Sequence, residues 1–213
     1  MFFGVISIVA LILIDYKMDP NVNNQLLDTE EYEIKLSFKE SIINLNTIFW
    51  LLLILAIFFY GALLSFNYIA TGFLIETYFS NLNKDEAETM AGLYMSIPFL
   101  IGAILIPFFG VLVDKLGKKT YFLLLGSSLG FLSFLTLYLT HPLVSLILLG
   151  FGYTAFATVV WPSVIAVVNK ALVTFAFGLF SSIVNLFLFL FQFVVLLIYH
   201  KTVSYYMVNI LFI

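Results

Sequence analysis

The chain has 213 residues, 63% of them hydrophobic and only 10% charged, against roughly 45–50% and about 25% in an ordinary soluble domain. Such a composition excludes a water-facing globule, and a net charge of −3 without a basic face excludes a nucleic-acid binder. These residues include no Cys, which excludes disulfides, thiolate nucleophiles and Cys-held metals.

In chain order, Met1–Ile14 is apolar but has neither the basic start nor the small-x-small cleavage site of a signal peptide. It reads as the remnant of a transmembrane helix, spanning about 21 Å where a bilayer core needs roughly 30 Å. Residues 16–46 carry Asn21, Asn23, Asn24 and the acidic run Glu30, Glu31 and Glu33, too polar a stretch to insert. Five complete spans are predicted next: Thr47–Ile75, Glu88–Val113, Thr120–Thr140, Pro142–Val168 and Ala171–Tyr199. Val203–Ile213 begins like one more span and stops short, so the chain reads as cut at both ends. The expected fold is an all-α membrane protein of five complete spans and two partial ones, with the organisation 1–15 helix remnant, 16–46 loop and 47–213 helical bundle.

Lysines orient this bundle, because cytosolic loops hold the basic excess. Lys17, Lys35, Lys39, Lys115, Lys118, Lys119 and Lys170 fall in alternate loops on one side, and only Lys84 and Lys201 on the other. The 16–46 loop and the turns at 114–119 and 169–170 are therefore expected in the cytosol.

Polar residues inside spans usually face the bundle or a wet cavity. At 100° per residue, Tyr60, Asn67, Thr71 and Tyr78 fall within about 40° of one another. Thr154, Thr158 and Trp161 share a face of the fourth complete span, and Gly178, Ser181, Ser182, Asn185 and Gln192 a broader stripe of the fifth. Tyr60, Asn67, Thr71, Thr154, Thr158, Trp161 and Asn185 are the candidate lining of a substrate cavity. For the last span, interhelical hydrogen bonding is an equal reading. Gly61, Gly72 and Pro162 would permit broken helices of the kind on which transporter sites are built. Gly126 and Gly130 form a GxxxG packing face, and Pro98 and Pro107 are expected to bend the second complete span.

His141 and His200 lie at span ends, too isolated for a metal site or a proton relay. No nucleophile with its base lies within a span, so no catalytic residue, metal or cofactor is expected, and an enzyme is disfavoured.

At the cytosolic end of the second complete span stands Gly110-Val-Leu112-Val-Asp114-Lys115-Leu-Gly117-Lys118-Lys119. Gly110 admits close helix approach, Gly117 a positive-φ reversal, and Asp114 suits a helix N-terminus, where unpaired N–H groups favour an anion. This run resembles the major facilitator superfamily signature G-x-L-x-D-R/K-x-G-R/K-R/K at all its specified positions. In that family the signature lies between helices 2 and 3 and again between helices 8 and 9. The long cytosolic loop one hairpin upstream fits only the second place, which makes the complete spans helices 7 to 11 of a C-terminal six-helix bundle, with remnants of 6 and 12. Gly110, Asp114, Lys115, Gly117, Lys118 and Lys119 then form a conformational motif rather than a substrate site.

A narrower resemblance runs through Gly150-Phe-Gly152-Tyr153, Trp161-Pro162, Val167-Val168 and Ala176-Phe-Gly178 to Ser182-Ile183-Val-Asn185-Leu186. It is similar to helices 10 and 11 of the lysosomal dipeptide uniporters of the superfamily. Asn169, Lys170 and Thr174 depart from that pattern. The resemblance implies alternating-access uniport of a small organic solute, a dipeptide, from a lysosomal or vacuolar compartment to the cytosol. It also implies an N-terminal half as partner and a glycosylated accessory membrane protein. The residues themselves leave open another solute such as a sugar or organic anion, a plasma-membrane location, and an inactive fragment or assembly subunit.

Overall fold

The computed structural model describes residues 38–137, 139, 141–202, 205 and 208. The predicted helix remnant at 1–15, the loop as far as residue 37, and all of Val203–Ile213 except Tyr205 and Val208 lie outside the described residues. Residues 1–44 and 45–213 form two compact units. The first contributes one described helix, α1 (Phe38–Ile43). The second contains α2 (Thr47–Tyr78), α3 (Lys84–Leu116), α4 (Lys119–Thr136), α5 (Pro142–Val167), a 3-10 turn at Lys170–Leu172, and α6 (Val173–Thr202).

Helices α2, α3, α5 and α6 with its leading turn are long and apolar enough to cross a membrane. The remaining predicted span, α4, has 18 residues and ends at Thr136 rather than Thr140, a rise of about 27 Å. Its Gly126, Ser127, Ser128, Gly130 and Ser133 dilute the apolar run; all but the exposed Ser128 turn toward the packed side of the helix. At the other extreme α6 continues through His200 and Lys201, three residues past its predicted end.

Helix boundaries follow local chemistry. The side chains of Asn46, His141 and Asn169 accept the backbone N–H two residues on, from Ile48, Leu143 and Ala171, each at 3.4 Å. Asn169, a departure from the resembled pattern, thus supplies a cap where the chain re-enters as α6. Gly117 ends α3 with φ of 64° and donates its N–H to the Val113 carbonyl at 2.8 Å, the left-handed stop that glycine adopts without a Cβ penalty.

Two glycines fix the position of α5. Gly150 and Gly152 are about 200° apart on the helix and so point to opposite neighbours. A Cβ on Gly150 would lie 3.0 Å from Pro98 Cα of α3, and one on Gly152 would lie 2.9 Å from the Gly130 nitrogen and 3.0 Å from the Gly126 carbonyl of α4. Backbones meet directly on both sides. Toward the C-terminal end of α4 Ser133 donates to the Ser145 carbonyl at 2.8 Å, and the Thr136 and Ser145 hydroxyls pair at 3.1 Å.

Helix α2 packs on α6 through rings. Phe49 meets Phe180 edge-on at 5.9 Å and Phe58 meets Phe191 at 6.3 Å. Gly61 and Gly72 were candidate break points, yet α2 is continuous through both. They instead make room for aromatic side chains: Gly61 faces the Phe191 ring and Gly72 the Tyr205 hydroxyl. Tyr205 also packs against Tyr199 at 4.5 Å, and Val208 is fully buried.

The core is two apolar clusters in succession along α2. One, toward the N-terminal end of α2, runs from Leu45 to Tyr60 and includes Phe156, Val160 and Phe180. The other, toward its C-terminal end, begins at Leu63 and includes Phe66, Phe73, Leu146 and Val208.

Candidate substrate surface and the 110–119 motif

The middle of α2 lies where these clusters meet, and three polar side chains gather there. Tyr60 is buried, its ring edge-on to Phe156 at 5.7 Å and its hydroxyl near Tyr153 and the Trp161 side chain. Tyr153 packs against both clusters. Asn67, about 10 Å further along α2, shares a small gap with Tyr153, Leu63, Met95, Pro98, Phe99 and Leu149. The gap measures about 20 Å³, room for one water and for no organic solute.

Trp161 stands apart from Asn67. Its indole stacks on Phe177 of α6 at 5.7 Å and 7° and meets Phe180 edge-on at 5.4 Å. The structure therefore brings Trp161, Tyr60, Tyr153 and Asn67 into one column along α2 and α5, but not Trp161 and Asn67 into one pocket. Tyr153, which is not among the candidate lining residues, joins the site; the sequence signal for it is a hydroxyl-bearing ring on α5 about 80° from Trp161.

The other candidates divide. Thr154 is fully buried against α3 near Gly102, its hydroxyl donating to the Gly150 carbonyl at 2.7 Å, and so is not on an open surface. Thr158, half-buried, donates to the Thr154 carbonyl at 2.7 Å. Thr71 and Asn185 are exposed, and Asn185 donates to the Ser181 carbonyl at 2.8 Å. Tyr78, predicted on the same stripe as Asn67, donates to the Leu137 carbonyl and ties α2 to the end of α4.

A larger cavity of about 180 Å³ lies between α2, α4 and α5, lined by Leu55, Phe58, Phe59, Phe131 and Phe134 among others. It contains none of the predicted site residues. An ammonium or carboxylate placed there would lose its hydration without replacement, a cost of several kcal/mol or more.

In the 110–119 motif Gly117 has the positive φ its position required. Gly110 has no atom within 4 Å of where its Cβ would be, so no described element of this chain makes the close approach expected there. Asp114 and Lys115 are exposed, and no hydrogen bond or ion pair among the described residues reaches Asp114. Lys118 lies over the Tyr121 ring at 5.5 Å. Lys119 donates to the Pro162 carbonyl at 3.1 Å. His141 is the cap of α5, its ring 6.0 Å from that of Tyr94.

Residues 1–192 match the sequence pattern of the Major Facilitator Superfamily. The lysosomal dipeptide transporter MFSD1 of Gallus gallus is 30% identical over 145 residues, which are 67% of this chain and 31% of that protein. The proteins of the same name from Mus musculus and Danio rerio are each 28% identical over 186 residues, 86% of this chain and 38% of theirs. The chain thus spans about a third of the length of the curated relatives it matches. A pattern that runs from the first residue through most of α6, laid over helices of membrane-crossing length, identifies the chain as a member of the Major Facilitator Superfamily.

Proposed function

We propose that α2 to α6 are helices 7 to 11 of a transporter that carries a small organic solute across a bilayer by alternating access. The solute proposed is a short peptide leaving a lysosome-like compartment for the cytosol. The observation that carries this reading is a polar face that the chain does not cover. On α6 Gly178, Ser182 and Asn185 are exposed, and Phe177 and Phe180 of the same helix lie against Trp161 of the column. Polar groups in a membrane span face a bundle interior or a wet cavity rather than lipid, so a second bundle is required opposite. The two cavities described above are either water-sized or apolar, which favours a solute site between the bundles, near the middle of the spans.

The peptide and the compartment rest on the names of the relatives. The middle turns of these spans hold no Asp, Glu, Lys or His, so coupling would reside in the other half or the transporter is a uniporter, and the resemblance favours the uniporter. The test is reconstitution in liposomes with labelled dipeptides, with and without a separately expressed N-terminal half. Saturable uptake is expected only with both. Uptake by the chain alone would replace the half-bundle with a symmetric dimer, and uptake of sugars in preference to dipeptides would remove the peptide assignment.

A further inference from the structure

Helix α5 is weakened along one stretch. Thr154, Thr158 and Ser163 each turn a hydroxyl onto the carbonyl four residues back, on Gly150, Thr154 and Val159, all at 2.7 Å. Such back-bonds compete with the helix ladder and bend it. Pro162 then removes the N–H that the Thr158 carbonyl would accept. The segment 159–167 is therefore joined to the rest of α5 by an incomplete ladder, and Trp161 lies in it.

Two polar side chains from outside α5 reach this segment: the Tyr60 hydroxyl lies by the Trp161 side chain, and Lys119, at the first residue of α4, donates to the backbone, to the Pro162 carbonyl at 3.1 Å. The contact lies near the C-terminal end of α5, where the helix dipole favours a cation. Its neighbour Lys118 is turned to Tyr121 instead. Covalently, Lys119 is two residues from Gly117, the left-handed stop of α3. The Lys119 side chain thus links that turn to the carbonyl next to Trp161, whose ring is stacked on Phe177.

We propose that Lys119 is a positioning residue for Trp161, coupling the 114–119 turn to the pliable end of α5 through the Pro162 carbonyl. The consequence for turnover rests on the transport reading above; the coupling itself does not. The chain contains two tryptophans, so Trp50→Phe leaves Trp161 as the sole reporter. In that background Lys119→Met should increase quenching of Trp161 by acrylamide about twofold, since the stack loosens when a charge-assisted bond is lost. Lys119→Arg, which can donate to the same carbonyl, should restore the parent value, and Lys118→Met should leave it unchanged. Circular dichroism verifies that each variant keeps its helix content. Should Lys119→Met fail to fold, Lys119→Gln is read in its place. Unchanged quenching in the neutral variant, failure of Arg to rescue it, or an equal effect of Lys118→Met would each overturn the proposal. In the reconstituted transporter Lys119→Met should lower maximal uptake about fivefold with KM within twofold. An altered fluorescence with no measurable uptake by the parent protein would retain the coupling and remove the transport reading.

Discussion

Helices α5 and α6 both carry small and polar residues in a regular stripe, and the structure uses them in opposite ways. Over its most apolar stretch α5 is 56% buried and α6 only 11%. On α5 the glycines admit neighbouring backbones and the hydroxyls are taken up by the helix's own carbonyls. On α6 Gly178 has open space beside it and Asn185 is exposed. The same residue types thus hold one bundle together in one helix and are left for another surface in the other. Periodicity locates a stripe; it does not say which partner consumes it.

The strongest way to break this contrast is to add volume on both sides. Gly126→Leu should abolish folded protein, because even its Cβ would lie 2.8 Å from the Phe156 nitrogen and 2.9 Å from the Gly152 carbonyl. Gly126→Ala should cost about 1–3 kcal/mol, whereas Gly178→Ala should stay within about 0.5 kcal/mol. Thermal unfolding in micelles compares the two, and equal losses would erase the distinction. Next in size, Asp114→Asn on the open side should slow uptake by roughly tenfold, or about 1.4 kcal/mol in the barrier, with substrate affinity within a few-fold. A large loss of binding by a normally inserted variant would make Asp114 a ligand rather than a latch.

Smaller changes sharpen the same line. Ser133→Ala should destabilise the chain by about 0.6 kcal/mol, the average for a hydrogen bond between membrane helices. Asn185→Ala should leave the isolated chain unchanged, because its amide is bonded within its own helix. Asn185→Cys, in a chain otherwise free of Cys, should react with thiol reagents in detergent and be protected when the N-terminal half is co-expressed. Persistent labelling would turn that face to solvent or lipid. Smallest of all, Thr71→Ala should lie within about 0.5 kcal/mol, measured in the same unfolding assay.

Much of the fold was legible in the chain itself. Long apolar runs announce membrane helices because the bilayer leaves backbone groups no partner except one another. Gly117 was legible because a reversal between two spans demands a positive φ, and the GxxxG of α4 because small residues are what allow helices to touch. Legibility failed where a residue has two lawful uses. Gly61 and Gly72 can break a helix or accept a ring, and Phe191 and Tyr205, far along the chain, decided for the ring. Thr154 can line a cavity or bond its own helix, and the approach of α3 at Gly102 closed it off.

The sequence by itself determined a helical membrane protein, its approximate span boundaries, its turn at Gly117 and its family motif, since each of these depends on local composition or on residues close in the chain. Only the tertiary structure decided that Gly150 and Gly152 wedge α5 between α3 and α4, that Tyr153 joins Tyr60 and Asn67 at the meeting of the two clusters, and that Lys119 reaches Pro162. Those are contacts between segments whose separation in sequence carries no information about distance, and in a densely packed interior the choice among equivalent polar stripes is made by which neighbour arrives first at van der Waals contact.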